Sequence, residues 1–224
     1  MTTPVPALRV EWLGRQSYRD ALARQERLVE AKIAAPDRTP DTLFLLEHEP
    51  VYTIGRTPDR SSLLTPALLP HPVETTNRGG QATYHGPGQL VGYPVLDLGR
   101  RGRDLHRYLR FLEETLVETL AGYGVRGERR EGLTGVWIGP RKIASIGVGV
   151  RRWVSMHGFA INVVGGEALA PFRAITPCGL AGVEMTAVAD ERGAPVGVEE
   201  FAARVGERFA ARLDVELPAA PAAS

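Results

Sequence analysis

Cysteine is almost absent from this chain: Cys178 is the single one in 224 residues. No internal disulfide can form, which is compatible with a reducing cytosol. Aromatic residues make up only 7% of the chain. No apolar run approaches the ~18 residues needed to span a bilayer. The N-terminal stretch MTTPVPALRVEWLG lacks the basic segment and long apolar segment of a secretory signal. A cytoplasmic protein without membrane association is therefore predicted. Excess charge is missing too. A formal net charge of +1 gives no whole-chain field that would point to nucleic acid. The phosphate-cradling patterns GxxxxGK(S/T) and GxGxxG are absent, as is the GxSxG nucleophile elbow. His48-Glu49 begins like a zinc-protease motif, but Pro50-Val51-Tyr52 breaks it. The five histidines lie far apart in sequence, and one cysteine cannot supply a structural zinc site. No metal and no nucleotide hydrolysis is expected.

What is present is ordinary globular material, 43% hydrophobic and 24% charged. The length fits one domain, taken as residues 1–217, followed by a Pro/Ala/Ser tail over 218–224 that is expected to fray. A helix is predicted from Asp104 to about Gly122. Asp104 can cap its start, and Leu105, Leu109, Leu112, Leu116 and Leu120 recur at spacings of three and four. A second runs from about Ser17 to Ala35, with Ser17 and Asp20 at capping-box spacing and Pro36 beyond its end. A third covers about Val198 to Leu213, with Phe201, Val205 and Phe209 on one stripe. Between the helices the chain reads as strands at Leu8–Leu13, Thr42–Glu47, Val51–Ile54, Ala82–His85, Gln89–Leu96, Gly135–Ile138, Ile143–Val150 and Val154–Val164. Met185–Ala189 is a weaker candidate. Strands that follow one another without intervening helices predict an α/β (α+β) domain with a mixed β-sheet flanked by helices, and not a doubly wound parallel one.

Three segments concentrate polar and flexible residues. The first is Arg78-Gly79-Gly80-Gln81-Ala82-Thr83-Tyr84-His85, followed by Gly86-Pro87-Gly88-Gln89. A tight hairpin accounts for a lone Gly-Gly. A turn needs only two to four special residues, however, and a loop this dense in hydrogen-bonding side chains suits a pocket wall. The second is Arg141-Lys142-Ile143-Ala144-Ser145-Ile146-Gly147-Val148-Gly149-Val150. As a strand it puts Lys142 on one face with Ala144, Ile146, Val148 and Val150. A lysine there must snorkel to solvent from a strand end, find an anion, or lose its charge. The other face carries Ser145, Gly147 and Gly149, small enough for something flat to lie against it. His157-Gly158-Phe159-Ala160-Ile161-Asn162 follows, again alternating small and large; His157 alone reads as structural. The third is Thr176-Pro177-Cys178-Gly179-Leu180. Most free cysteines are inert buried hydrophobes. A Pro-Cys-Gly turn, by contrast, can expose a thiol and aim backbone N–H groups at it.

The blocks RGGQATYHGPGQLVGYPVLDL, GVWIGPRKIASIGVGV, VSMHGFAINV and ITPCGL resemble, in the same order, those of the octanoyltransferases of lipoate biosynthesis (the lipoyl(octanoyl) transferases), over roughly Leu8 to Phe209. The resemblance implies the fold of the biotin/lipoate protein ligase catalytic domain. It implies Cys178 as the nucleophile that carries the acyl group as a thioester, with Lys142 lying against it. It implies Arg78 through His85 as one wall of the acyl pocket. Ser145, Ile146 and Gly147, and Gly158, Phe159 and Ala160, are implied as the others.

It also implies the reaction partners: octanoyl-acyl carrier protein as donor, and as acceptors the lipoyl domains of 2-oxoacid dehydrogenase E2 subunits and the glycine cleavage H protein. No cofactor is called for, because the donor is already activated, and a monomer is expected. A free thiol of pKa ~8.5 is only a few per cent thiolate at neutral pH, and a neighbouring ammonium favours the thiolate. Backbone N–H groups near Gly179 or Gly80 are candidate oxyanion donors. Two arginine clusters, Arg100/Arg101/Arg103/Arg107/Arg110 and Arg126/Arg129/Arg130/Arg141/Arg151/Arg152, could meet an acidic carrier or simply be solvated surface. Two rival readings remain. An ATP-dependent lipoate or biotin protein ligase would need no cysteine nucleophile. A non-catalytic acyl-binding or carrier-docking module would leave the Cys178–Lys142 pairing without a purpose.

Overall fold

A computed structural model of the chain describes residues 7–56, 61–64, 69–176, 179 and 182–220. Each long helix begins where the sequence places a cap. Helix α1 (Tyr18–Ala34) starts after Ser17, whose side chain accepts from Asp20 N. Helix α2 (Leu105–Ala121) starts after Asp104, which accepts from Arg107 N at 2.9 Å. These caps satisfy N–H groups that a helix cannot pair internally. Helix α4 (Val198–Glu216) runs three residues beyond its predicted end, and Leu213 is buried on its inner stripe.

The main sheet has seven strands in the order β1 (Arg9–Gln16), β2 (Thr42–His48), β6 (Gln89–Val95), β10 (Val154–Asn162), β9 (Arg141–Arg151), β8 (Leu133–Ile138), β7 (Glu128–Arg130). Only β1 and β2 pair in parallel, so the sheet is mixed as predicted. The central strands are covered on both faces, which is why they read as unbroken apolar runs. Leu43 and Leu45 of β2 join the core under α2 and α4, where Phe111 and Phe209 meet edge to face at 4.9 Å. Phe44 and Leu46 point the other way, into the core under α1 with Ala21, Val29, Val91 and Tyr93.

A second, three-stranded sheet in the order β4 (Val73–Thr75), β3 (Val51–Ile54), β5 (Thr83–His85) has its own small core of Tyr52, Ile54, Ala82, Tyr84, Phe172 and Ile175. β4 and β7 escape a sequence reading because three residues are too few to show alternation. The predicted strand at Met185–Ala189 is a single bridge, Lys142 to Met185. The chain then turns into the short helix α3 (Val188–Arg192), closed by Gly193 at φ +70°. The predicted tail starts at Pro218. Its first residues run back beside Arg100, with Ala220 N donating to Arg100 O at 2.8 Å, and residues 221–224 lie outside the described residues. No described helix is long and apolar enough to cross a membrane.

Candidate active site

The predicted first segment becomes a loop laid on the sheet. Arg56 N donates to Arg78 O and Gly79 N donates to Val148 O, so the loop is held on both sides by main chain. A Cβ on Gly55 would lie 2.1 Å from Gly80 O, and one on Gly147 would lie 3.0 Å from Gly79 O. Side chains at those positions would push the loop away. What lies flat against Gly147 of β9 is this loop, whereas Gly149 is packed chiefly by His157 and Met156 of the neighbouring strand.

Beside the loop opens a cavity of about 340 Å³. Of the expected site residues, Arg78, Gly79, Gly80, Thr83, His85, Lys142, Ser145, Ile146, Gly147, Gly158, Phe159 and Ala160 line it. Ala82 and Tyr84 face the small sheet's core instead, because residues alternate sides along β5 and Thr83 and His85 take the cavity side. Gln81 turns toward Gly179: a Cβ on Gly179 would sit 1.9 Å from Gln81 Oε1. Cys178 itself, with Pro177, Leu180 and Ala181, lies outside the described residues. Its flanks are anchored nearby. Thr176 N donates to Ser62 O, and Ser62 Oγ accepts from Ala82 N at 3.2 Å. Tyr18, Val91, Tyr93, Leu109, Leu133, Thr134 and His157 also line the cavity. A sequence reading assigns Leu109 and Tyr93 to a core stripe and a strand, and nothing in their spacing marks them as wall.

Lys142 sits at a β-bulge. Val136 of β8 faces Ala144 while Trp137 faces Lys142, so Ile143 is the extra residue, and the simple alternation expected for β9 is broken here. The bulge buries Lys142, Ile143 and Ala144 in succession. It aims the Lys142 ammonium at Thr134 O, 3.2 Å away, and over the Trp137 ring at 5.2 Å. The lysine is 2% exposed, so it does not snorkel to solvent.

The other end of the cavity carries a directed hydrogen-bond chain. Arg78 donates to Thr53 O, Thr53 Oγ1 and Gly79 O at 2.8–2.9 Å. Gln89 Nε2 is committed as a donor to Tyr84 O and Asn162 Oδ1, so its Oε1 accepts from His85 Nδ1 at 2.7 Å. His85 Nε2 then accepts from the Thr53 hydroxyl. Asn162 donates onward to Thr186 O, and Thr186 N donates to Lys142 O. Burial, reinforced by His48 and Arg78, pushes His85 down to about 3. Burial, then Arg78 and Arg56, pushes His157 down to about 3 as well. Burial alone lowers His48 to about 4. All three imidazoles are neutral near pH 7, and Arg78 and Lys142 are the arginine and lysine among the described residues of the lining. His157 is held at φ +56° within β10, a conformation rare for a residue with a side chain, with its main-chain N–H on Gln25 Oε1.

Among the described residues, no three His, Cys, Asp or Glu side chains converge as metal ligands. Much of the first arginine cluster is internally paired: Arg100 with Asp37 and Asp97, Arg101 with Asp41 and Asp214, and Arg110 with Glu113.

The fold is shared with the ligases that attach lipoate and biotin. A chain of the bipartite lipoate protein ligase and its E2 lipoyl domain from Thermoplasma acidophilum superposes with a TM-score of 0.65 at 18% identity, over 92% of this chain and 84% of that one. The biotin protein ligase from Aquifex aeolicus in complex with biotin and ATP gives 0.59 at 15% identity, over 95% and 73%. Sequence relationship is closer elsewhere. The lipoyl protein ligase A/B catalytic domain model matches residues 17–210. An octanoyltransferase of Geobacter metallireducens is 53% identical over 206 residues, covering 92% of this chain and 93% of the relative. One from Syntrophotalea carbinolica is 49% identical over 217 residues, covering 97% and 100%. The chain belongs to the lipoyl protein ligase A/B catalytic-domain family, among its octanoyltransferases.

Proposed function

We propose that this protein transfers an octanoyl group from octanoyl-acyl carrier protein to a lysine of lipoyl domains through a thioester on Cys178. The observation that carries this reading is that two of the predicted segments line one cavity and the first also touches the third. Lys142 shares a lining with the Arg78–Gly80 loop, and Gln81, the next residue, packs on Gly179, immediately after Cys178. Octanoyltransfer by relatives half identical over nearly the whole chain supports the same reading.

In this mechanism the Cys178 thiolate attacks the carbonyl carbon of the donor thioester. The bond between that carbon and the carrier sulfur breaks, and the carrier thiolate takes a proton from Lys142. The acceptor lysine, as a free amine, then attacks the acyl carbon and forms the amide. Its surplus proton passes to Lys142, and Cys178 leaves as the thiolate, restoring the starting ion pair. The first half exchanges one thioester for another and is near balance; the second converts a thioester to an amide and runs downhill. No ATP is consumed.

The test combines the purified protein, octanoyl-acyl carrier protein and an unmodified lipoyl domain, without ATP or magnesium. Mass spectrometry is expected to find an octanoyl adduct on Cys178 and then on the acceptor lysine, with Cys178→Ser inactive. Transfer that requires ATP and free octanoate, or a Cys178→Ser variant acylating the acceptor at full rate, overturns the proposal.

A further inference from the structure

The space that Lys142 occupies is made by a glycine. Gly135 of β8 sits at φ +127°, and a Cβ there would lie 2.8 Å from Lys142 Cε, 3.3 Å from its Nζ and 2.5 Å from Ala144 O. The position must therefore be both free of a side chain and held in a conformation that favours glycine. What holds it is a carboxylate from the helix layer. Gly135 N donates to Glu113 Oε1 at 2.9 Å, and the Glu113 side chain is fully buried, with its other oxygen on Arg110. An ionised carboxylate taken out of water is unfavourable unless such partners satisfy it, so the contact is directional and stiff.

On its other side the lysine meets an aromatic ring. The Trp137 indole lies 5.2 Å from Lys142 Nζ, and Arg130 of β7 lies 5.0 Å from the same ring. Trp137 is itself 0% exposed. Among the described residues, the charged groups one contact removed from Lys142 include Glu113 of α2, through Gly135 N, with Arg110 paired to it, and Arg130 of β7, through the Trp137 ring. Arg141 beside the lysine is tied to Glu191 of α3, and Glu184 contributes its main-chain carbonyl to Lys142 N.

We propose that Glu113 and Trp137 are positioning residues for Lys142: Glu113 fixes Gly135 N–H so that the lysine stem can pass, and Trp137 with Thr134 O fixes the ammonium at the cavity wall. A free lysine loses rotamer entropy when its stem is held in one conformation. Restricting it in advance keeps the cation where the thiolate forms. The inference rests on the reading in which Lys142 pairs with Cys178.

Cys178 is the sole thiol, so alkylation of the full chain by iodoacetamide, followed as a function of pH, reads its thiolate fraction without interference. Lys142→Met serves as the reference. It is expected to move the midpoint of the rate–pH profile upward and to lower the rate at pH 7 by about tenfold. Trp137→Leu and Glu113→Leu are expected to move the midpoint the same way, with a loss of roughly threefold at pH 7 and a fall in kcat at unchanged KM. Trp137→Phe, which keeps a ring face, and Glu113→Gln, which keeps an acceptor for Gly135 N, are expected to restore most of it. If one leucine variant does not fold, the other pair still decides. Melting temperatures that fall while every Glu113 and Trp137 variant keeps the wild-type midpoint, with Lys142→Met shifted, overturn the inference and leave the Cys178–Lys142 pairing standing. An unshifted Lys142→Met profile overturns the pairing itself.

Discussion

Gly179 and Gln81 are in contact so close that a single added carbon on the glycine would stand 1.9 Å from Gln81 Oε1. Gly179 is also at φ +71°, and its N–H donates to Thr176 O. Gly179→Ala meets both obstacles. The backbone part costs about 1–2 kcal/mol, and the clash can relax because Gln81 is a flexible side chain. Acyl-enzyme formation, followed by rapid quench and mass spectrometry, is expected to slow by about tenfold or more. Adding Gln81→Ala should recover only the part due to the clash. Full recovery in the double variant would show that the positive φ carries no weight.

Arg78 is the keystone of the loop on the sheet, donating to Thr53 twice and to Gly79 O. Arg78→Lys keeps the charge but loses the planar fork. A stability loss of about 1–3 kcal/mol is expected from the unpaired buried acceptors, with a fall in kcat/KM of about tenfold or more. Urea titration and transfer kinetics measure the two; an unchanged kcat/KM would mean the loop holds its place without the fork.

The neutral histidines predict an acid sensitivity with a definite sign. In the unfolded chain each imidazole binds a proton near pH 6.5, whereas in the folded protein His48 waits until about 4 and His85 and His157 until about 3. The unfolded state therefore holds more protons below pH 6.5. The stabilisation is fully present above that value and is lost as pH falls toward 3–4, by at most about 1.4 kcal/mol per pH unit for each histidine. Denaturant midpoints at pH 7, 6 and 5 should fall, and His85→Gln should flatten the slope. A flat wild-type profile over this range contradicts the assignment of neutral buried rings.

Far from the cavity, Asp41 is 4% exposed and takes Lys32 on one oxygen and Arg101 on the other, each at 2.9 Å. Asp41→Asn leaves two buried cations undercompensated, at about 3–5 kcal/mol. For a chain of this size that lowers Tm by about 10 °C. Calorimetry reads the shift, and transfer at 15 °C or so should stay within about twofold of wild type because no cavity residue is touched. An unchanged Tm would place the compensation elsewhere.

Much of this was legible from residues alone, because caps and periodicity are local. Ser17 and Asp104 mark their helices by chemistry that needs no tertiary context. The Gly-rich loop, Lys142 and Ser145 stood out because their residue types clash with an ordinary core strand. What escaped depends on register. That Ile143 is an extra residue in the ladder cannot be seen until β8 pairs with β9, yet it decides where Lys142 points. The resemblance implies all of Arg78 through His85 as one wall, and only the pairing of the small sheet separates Thr83 and His85 from the inward Ala82 and Tyr84. Nothing in the spacing of α2 singles out Glu113, and only the fold puts it against Gly135.

The loop over β9 gives the cavity two unequal sides. One is polypeptide backbone resting on glycines, with main chain to either side of it. The other is built of side chains, among them Tyr18, Tyr93, Leu109, Leu133, Ile146 and Phe159. Substitution can lengthen or shorten only a wall that has side chains to change. If the cavity holds the acyl chain as proposed, drift in the length it accepts is written in side chains such as Tyr93, Leu109, Leu133, Ile146 and Phe159, while the Gly79–Gly80 backbone stays as a fixed datum from which that length is measured.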